Sequence, residues 1–336
     1  MVPFARTTLG EEEIQAIKET INSGWVVQGK KTEELEQKFA DYVGAKHAVF
    51  VNSGTSALFL CLQYLKTKKD LKSVTVPSFT FTATAEVVVN SGLDLKFGDI
   101  DDDLCIKTED ENVIAVHLGG RRAKQEAMIY DSAHRIEKDD VKGSNALWCY
   151  SFYATKNMTT VQGGMIATND TDASNWLKMA RDHGLNLTTA QRYSGKYKQY
   201  SIDFVGWRMK SDDLSASVGL EQLKKLPENT IKRNSIVERY NEAFGLKNEG
   251  NHLYIIAVQD QEQFLNYMVD KGVQCAVNYM PLHLMKGYKD IVGEVSLPKT
   301  EWWGNHCISL PLFPIMTDEE VEKVIKEVLE SNLLIK

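Results

Sequence analysis

The sequence has few of the features that mark secreted, membrane-spanning or metal-binding proteins. Its five cysteines are scattered without Cys-x-x-Cys spacing, so we predict neither a disulfide framework nor a zinc site, and we expect no metal. No stretch approaches the roughly 18 apolar residues that a membrane helix needs. The first residues also lack the apolar segment of a signal peptide. We therefore expect a cytoplasmic protein without a membrane partner.

A basic surface is also lacking. The net charge is −7 and no run of Lys and Arg forms a stripe, which argues against a nucleic-acid partner. A hydrophobic content of 43% and a charged content of 25% are ordinary for a globular protein. Because 336 residues are long for one domain, we expect one large domain and a smaller one. The helix and strand patterns that begin at residue 231 place the smaller domain over 231–336 and the larger over 1–230.

One lysine lies on a loop that two predicted strands carry. An apolar run over 146–152 and a second over 165–168 read as buried strands, and Lys156 lies between them. If a rigid strand holds this lysine away from water, its pKa falls and its neutral amine can attack a carbonyl. The alternative is a solvated surface lysine, because the chain has 39 Lys and Arg residues.

The neighbours of Lys156 favour the reactive lysine. Ser151-Phe-x-x-x-Lys156 followed by Gly163-Gly164 resembles the Schiff-base segment of the DegT/DnrJ/EryC1/StrS aminotransferases, which are sugar aminotransferases that use pyridoxal phosphate (PLP). The resemblance extends from Gly24-Trp25 to Ser309-Leu-Pro311 and implies that Lys156 and Ser151 bind the cofactor. It also implies an α/β architecture of PLP fold type I, with a mostly parallel central sheet between helices and a smaller C-terminal α+β domain. In that domain we predict strands over 254–258 and 277–279.

A turn rich in glycine and hydroxyl groups follows the predicted strand 48–51. Asn52-Ser53-Gly54-Thr55-Ser56 leads into an apolar helix, so its backbone N–H groups and the helix dipole are suited to an anion. A plain helix cap is the alternative. The resemblance implies that the cofactor phosphate binds Ser53, Gly54 and Thr55.

An acid follows the predicted strand 128–130. In an open α/β sheet, ligands bind at the carboxyl ends of strands, so Asp131 is well placed, although it could merely cap a helix. Asp131-Ser-Ala-His134 is similar to the family's Asp-x-Ala-His box, which implies that Asp131 pairs with the pyridine nitrogen. A carboxylate there keeps this nitrogen protonated. His134 would support the cofactor's phenolic oxygen or Asp131.

Two phenylalanines follow the strand that Pro77 closes. The segment from Pro77 to Phe81 is similar to the family pattern Pro-x-x-Thr-aromatic. The resemblance implies that Phe81 stacks on the pyridine ring, an interaction worth about 1 kcal/mol beyond area burial. Phe79 is then expected in the core.

Two segments are shorter than the family pattern. Only Arg121 to Ala127 separate His117-Leu-Gly-Gly120 from the strand at Met128, and residues 135–145 are short as well. Parallel strands need a crossover of about a dozen residues. Either the first crossover is a bare loop, or a layer of helix is missing.

Several residues are candidates for substrate contact. Trp25 lies in a Gly-Trp-x-x-x-Gly loop, and His183 lies in a segment similar to the family's His-Gly box; each could equally serve packing. Tyr279 and His283 belong to Asn278-Tyr-Met-Pro-Leu-His-Leu284, in which Asn278 replaces the family's first histidine. The polar region 186–203 is predicted to be a mobile flap.

The segment Gly206 to Leu223 is similar to the family segment that reaches into the neighbouring subunit. Lys210 falls where relatives contact the partner's cofactor phosphate, and a cation suits that position. A shift of the alignment would give this role to Arg208. The resemblance thus implies a homodimer with shared active sites.

Three functional hypotheses follow. The first is PLP-dependent amino transfer from an amino acid such as glutamate to a nucleotide-linked keto sugar, in polysaccharide or glycan biosynthesis. The second is a PLP-dependent sugar dehydratase, but such relatives carry histidine in place of the lysine, so Lys156 counts against it. The third is a non-catalytic sensor or decayed homologue, which only the two shortened segments favour.

Overall fold

The computed structural model describes residues 1–193, 195 and 198–335. In that part of the chain no helix is long and apolar enough to cross a membrane. The chain divides into two compact units, each discontinuous in sequence. The lysine unit comprises Leu9–Lys72 and Met128–Leu226, and the terminal unit comprises Met1–Thr8, Ser73–Ala127 and Pro227–Lys336. The division into domains over 1–230 and 231–336 stays a prediction.

The helices alternate with strands over much of the chain. They are α1 Glu11–Asn22, α2 Lys30–Val43, α3 Gly54–Lys68, α4 Ala83–Asn90, α5 Thr171–Ala180, α6 Thr189–Arg192, α7 Asp213–Phe244, α8 Gln261–Asp270, α9 Lys286–Val292, α10 Pro298–His306 and α11 Asp318–Glu330. Short 3-10 turns cover Leu118–Gly120 and Leu282–Leu284.

The strands are short. They are β1 His47–Val51, β2 Ser73–Pro77, β3 Asp94–Gly98, β4 Ile114–Val116, β5 Ile129–Asp131, β6 Leu147–Ser151, β7 Gly164–Thr168, β8 Tyr254–Val258, β9 Cys307–Leu310 and β10 Leu334–Ile335.

The lysine unit contains a mixed sheet in the order β1-β7-β6-β5. Strand β7 runs antiparallel to β1 and β6, whereas β5 and β6 are parallel. Strands β1, β5 and β6 therefore point the same way. Their carboxyl ends meet at one edge of the sheet, where ligands bind in open α/β folds.

The register aligns the residues at this edge. Gly164, the first residue of β7, pairs with Val51 at the end of β1 and with Ser151 at the end of β6. Asp131, the last residue of β5, pairs with Cys149. The segments after Val51, Asp131 and Ser151 therefore all leave the sheet at this edge.

Neither of the two shortened segments, residues 119–128 and 135–145, contains an α-helix. Between β4 and β5 the chain has only the 3-10 turn Leu118–Gly120 and irregular residues, so the crossover is a bare loop. Residues 135–145 form turns that pack on the end of α2, where the N–H of Val141 donates to Val43 O at 2.9 Å. Arg135 Nε pairs with Asp140 at 2.6 Å in the same turns.

The region 186–203 contains α6 and a bridge between Leu185 and Ile202. Residues 194, 196 and 197 of this region lie outside the described residues. The mobility of the flap stays a prediction.

The terminal unit contains a parallel pair, β2 and β3, and an antiparallel sheet in the order β10-β8-β9. The predicted strand over 254–258 is confirmed as β8. The predicted strand over 277–279 is wrong. Only Ala276 pairs there, with Ser309, because the chain then turns towards Pro281 and the short turn that follows it.

Each unit has a hydrophobic core of its own. In the lysine unit, Phe39, Tyr150 and Phe152 pack edge to face, with ring centroids of Phe39 4.9 and 5.4 Å from the other two. In the terminal unit, Tyr240 and Tyr254 pack in the same way at 5.0 Å. The first core lies against β6 and so holds the strand that leads to Lys156.

A buried ion pair joins two helices of the lysine unit to its sheet. Arg181 Nη1, just after α5, donates to Glu36 Oε1 on α2 and to Phe50 O at 2.6 Å. Glu36 Oε1 also accepts the N–H of Phe50 at 2.9 Å. The two side chains are almost fully buried, so neither charge has water as an alternative partner.

We expect Glu36→Ala to destabilise the protein by about 3–5 kcal/mol, because removal of one partner leaves the other charge buried and unpaired. The measurement is the midpoint of urea unfolding. Glu34→Ala is the matched control, since Glu34 forms an exposed pair with Lys38 on the same helix and should cost less than about 1 kcal/mol. Equal midpoints for the two variants would contradict the expectation.

Candidate active site

The amino end of α3 lies directly after β1. Ser53 caps the helix, and its Oγ accepts the N–H of Ser56 at 3.0 Å. Ser56 Oγ in turn donates to Asn52 Oδ1 at 2.7 Å. The backbone N–H groups of Gly54 and Thr55 thus remain at the positive end of a 15-residue helix, which is a suitable site for a phosphate.

Two glycines let the neighbouring strands approach this turn closely. A Cβ on Gly54 would lie 2.9 Å from the Cβ of Ser151. A Cβ on Gly164 would lie 2.6 Å from the N of Gly54 and closer still to the carbonyl of Ser53. Only glycines permit this packing, so the structure brings the Ser53-Gly54-Thr55 turn against Ser151.

Lys156 lies on the loop between β6 and β7 and is half-buried. The backbone N–H of Lys156 donates to Tyr153 O at 3.0 Å. The loop closes on itself, because the N–H of Phe152 donates to Gly163 O at 2.9 Å and the N–H of Thr160 donates to Phe152 O at 3.0 Å. Burial lowers the pKa of Lys156 to about 8, against the opposing attraction of Asp131.

Asp131 and His134, the two side chains predicted to support the cofactor, lie within electrostatic range of Lys156. Asp131 is buried at the end of β5, and its Oδ1 accepts the N–H of Ala133 at 3.0 Å. His134 is buried as well, and burial together with the charge of Lys156 lowers its pKa well below the ordinary value. His134 is therefore neutral at physiological pH, whereas Asp131 supplies the local negative charge.

Lys210 lies beside its own chain's β1. It forms a β-bridge with Val51, and its Nζ donates to Asp182 Oδ2 at 2.8 Å. Arg208, the alternative to Lys210 in the alignment, forms a bridge with Asp182 and is exposed. The role of either cation in a partner subunit stays a prediction.

The two substrate candidates of the lysine unit, Trp25 and His183, contact different residues. Trp25 lines a cavity of about 480 Å³, and its ring centroid is 6.4 Å from that of Tyr193. His183 is exposed and has a positive φ of 64°. Its N–H donates to Trp207 O at 2.9 Å. Substrate contact by Trp25 and His183 stays a prediction.

Three further candidates belong to the terminal unit. Phe81 is 57% exposed, and its ring centroid is 6.1 Å from that of Tyr279. Phe79 is fully buried, which confirms the expectation that it is a core residue. His283 is buried, and its Nδ1 lies 2.7 Å from Ser78 Oγ, so it is held firmly inside this unit.

Sequence reasoning missed two residues that shape the site. Asp182 pairs with Lys210, but the two residues are 28 positions apart in the chain and no local pattern signals the pair. Gly164 belongs to the Gly-Gly motif that was used as a family marker, yet its close approach to Ser53 and Gly54 depends on the pairing of three strands. A glycine at the start of a predicted strand is the one available signal, since it often marks close backbone approach.

Comparison with known proteins identifies the family of this chain. The family model described as the DegT/DnrJ/EryC1/StrS aminotransferase family matches residues 7–329. The chain belongs to this family. It is 31% identical to the spore coat polysaccharide biosynthesis protein SpsC of Bacillus subtilis (strain 168), with 97% of this chain and 96% of that protein covered.

Solved structures of aminotransferases show the same fold. The PLP form of Spr1654 from Streptococcus pneumoniae is 26% identical, with a TM-score of 0.86 and 98% of both chains covered. Helicobacter pylori PseC, an aminotransferase involved in the biosynthesis of pseudoaminic acid, is 24% identical, with a TM-score of 0.87 and 98% of both chains covered. The predicted α/β architecture of PLP fold type I is therefore confirmed.

We expect Gly164→Ala to destabilise the protein by about 1–3 kcal/mol, because the new methyl group meets the backbone of Ser53 and Gly54 and overpacks the site. Thermal unfolding measures the change. Gly287→Ala is the control, because a Cβ at Gly287 meets nothing within 4 Å. An unfolding temperature of Gly164→Ala at or above that of the control would show that the turn can move to make room for the methyl group.

Proposed function

We propose that this protein is a PLP-dependent aminotransferase that transfers an amino group from an amino acid such as glutamate to a nucleotide-linked keto sugar. The observation that carries the proposal is a half-buried lysine, Lys156, whose pKa is lowered to about 8 beside the buried carboxylate of Asp131. A relative named for spore coat polysaccharide biosynthesis supports a sugar substrate.

The residues present fit the cofactor. The turn of Ser53, Gly54 and Thr55 together with Ser151 offers N–H and hydroxyl donors at the positive end of α3, which suits the phosphate. Lys156 would supply the amine that holds the cofactor at its aldehyde carbon. The PLP form of Spr1654, whose fold this chain shares, supports the same cofactor here.

The roles of the side chains follow from their charge states. PLP, when bound, supplies an electron sink for the substrate carbon that loses a proton. Lys156 Nζ is partly neutral near pH 8, so it can accept that proton and return it to a neighbouring carbon. The carboxylate of Asp131 would accept a hydrogen bond from the protonated ring nitrogen of the bound cofactor. Neutral His134 adds no positive charge that would oppose this protonation.

The two other hypotheses have less support. Dehydratase relatives carry histidine where this chain has Lys156, which counts against deoxygenation. A decayed homologue would be expected to lose the residues of the family motifs, whereas this chain has Lys156, Asp131 and the Ser53-Gly54-Thr55 turn.

The direct test incubates the purified protein with PLP, glutamate and a panel of nucleotide-linked keto sugars. Mass spectrometry would detect an aminated sugar and 2-oxoglutarate in equal amounts. Formation of a deoxygenated sugar would support the dehydratase, and a protein that binds PLP but converts no member of the panel with any amino acid would oppose the proposal.

We predict that PLP attaches to the apoprotein at a rate that rises with pH and is half-maximal near pH 8, because the neutral amine of Lys156 is the attacking form. A solvated lysine would show a midpoint near pH 10.4. Absorbance of the lysine-bound cofactor measures the rate, and Lys156→Ala should show no such absorbance. Borohydride reduction and peptide mapping identify the lysine; a label elsewhere would reject the assignment.

Asp131→Asn provides the matched comparison. The charge of Asp131 raises the pKa of Lys156, so its removal should move the midpoint below pH 8. Turnover should fall more than tenfold, or by more than about 1.4 kcal/mol, because the ring nitrogen loses its anion. Asp172→Asn, at an exposed position on α5, should change neither quantity.

We further propose a homodimer in which Lys210 contacts the cofactor phosphate of the partner subunit. Co-expression of Lys156→Ala and Lys210→Glu chains should restore activity that each variant lacks alone, because one site of each heterodimer then has both lysines intact. If Lys210 serves only its own chain through Asp182, every site stays defective and no activity returns. The same mixture with Arg208→Glu shows which cation crosses.

A further inference from the structure

A second cavity lies within the terminal unit. Its volume is about 510 Å³, within the range of about 300–1,000 Å³ that small-molecule sites show. The residues that line it include Arg121, Lys124, Lys247, Asn248, Glu249 and Trp302. None of them belongs to the set around Lys156, and the aminotransferase reaction proposed above uses none of them.

Arg121 lacks an acceptor in this cavity wall. Within residues 1–193, 195 and 198–335 its guanidinium makes no ion pair or hydrogen bond, and its Nη1 is completely buried without a partner. The group is held in a slot between two glycines, since a Cβ on Gly119 or Gly250 would lie 2.8 or 3.3 Å from Nη1. Arginine stays protonated in proteins, so a full positive charge is held here uncompensated by contact.

The environment of Arg121 opposes its charge. Burial lowers the pKa of Arg121, although Cys105, Asp103 and Glu249 act in the other direction from a distance. A buried polar group without a partner costs free energy, and a charged group costs more. Such a group in a native structure calls for a missing partner such as an ion or a ligand.

Asn248 is a second donor without an acceptor in the same wall. Its side chain is 5% exposed, and its Oδ1 accepts the N–H of Gly250 at 3.1 Å. This bond fixes the orientation of the amide. The Nδ2 group, also buried, finds no acceptor among the described residues.

The remaining charges favour an anionic ligand. Lys124 is paired with Asp103 at 3.3 Å, and Asp102 is paired with Lys299 at 2.6 Å. In the described part of the chain, Arg121 and Lys247 then remain as unpaired cations against the single carboxylate of Glu249. Trp302 is 42% exposed and offers an aromatic surface to an organic ligand.

We propose that this cavity is a second small-molecule site, in which Arg121 and Asn248 bind the phosphate or carboxylate group of an organic anion. Guanidinium groups are well suited to either oxyanion because they offer paired donors in one plane. The site is independent of amino transfer.

The test titrates the PLP-saturated protein calorimetrically with inorganic phosphate and, separately, with malonate. We expect saturable binding of at least one probe, and the stronger of the two identifies the oxyanion. Arg121→Met should weaken this binding at least tenfold, whereas the matched control Arg122→Met, at the exposed neighbouring position, should retain it. Absence of binding by both probes, or equal binding by Arg121→Met, would overturn the proposal.

A second variant keeps the test decisive if Arg121→Met fails to fold. Asn248→Asp retains an oxygen for the N–H of Gly250 but replaces the donor with a negative charge, so it should also weaken binding of the probe. Amino transfer should continue in this variant, which separates the outcome from that of the proposed function. If Asn248→Asp bound the probe with unchanged affinity, the proposal that this cavity wall binds the anion would be rejected.

Thermal unfolding without ligand distinguishes a ligand-binding arginine from a structural one. Removal of a partly buried charge that has no partner should leave the unfolding temperature of Arg121→Met equal to or above that of the wild type. A temperature clearly below that of Arg122→Met would show that Arg121 stabilises the fold by itself, and would count against the proposal.

Discussion

The proposed function depends on the partial burial of one lysine side chain, that of Lys156. The loop that carries Lys156 is closed by backbone hydrogen bonds at both ends and anchored by Phe152, which lies in the core of the lysine unit. Desolvation lowers the pKa of the lysine, and the buried Asp131 limits that decrease. The balance of these two effects holds the amine near its titration point at neutral to mildly basic pH, where it can both accept and release a proton.

The register of the sheet brings the Ser53-Gly54-Thr55 turn close to the strand that leads to Lys156. A single glycine, Gly164, stands between the ends of β1 and β6 and is small enough for the Ser53-Gly54 turn to pack on it. A larger residue would separate the Ser53-Gly54-Thr55 turn from the strand that leads to Lys156. The ion pair between Glu36 and Arg181 holds the other side of β1 through the backbone of Phe50. The buried ion pair and the Ser53-Gly54-Thr55 turn are thus both connected to β1.

Each of the two units contains ionisable groups whose solvation departs from the ordinary. Around Lys156, burial and neighbouring charges alter the pKa of Lys156 and His134, to which the proposed function assigns roles. Around Arg121, burial leaves donors without acceptors in a cavity that amino transfer does not require. In both places the departure from ordinary solvation marks a position where a ligand would supply what the protein lacks, in keeping with the tendency of perturbed ionisable groups to cluster at functional sites.

The sequence by itself determined the family, the fold and the local setting of each motif. Lys156, Asp131 and the Ser53-Gly54-Thr55 turn each follow a predicted strand, and hydrophobic pattern and turn chemistry act over only a few residues, so these positions could be predicted. The sequence also assigned Phe79 to the core. Only the tertiary structure decided the alignment of three strand ends at Gly164, the pairing of Lys210 with Asp182, the absence of a strand over 277–279 and the slot around Arg121. These depend on which distant segments pack together, and the free energy of such contacts is set by the whole fold and leaves no local pattern in the chain.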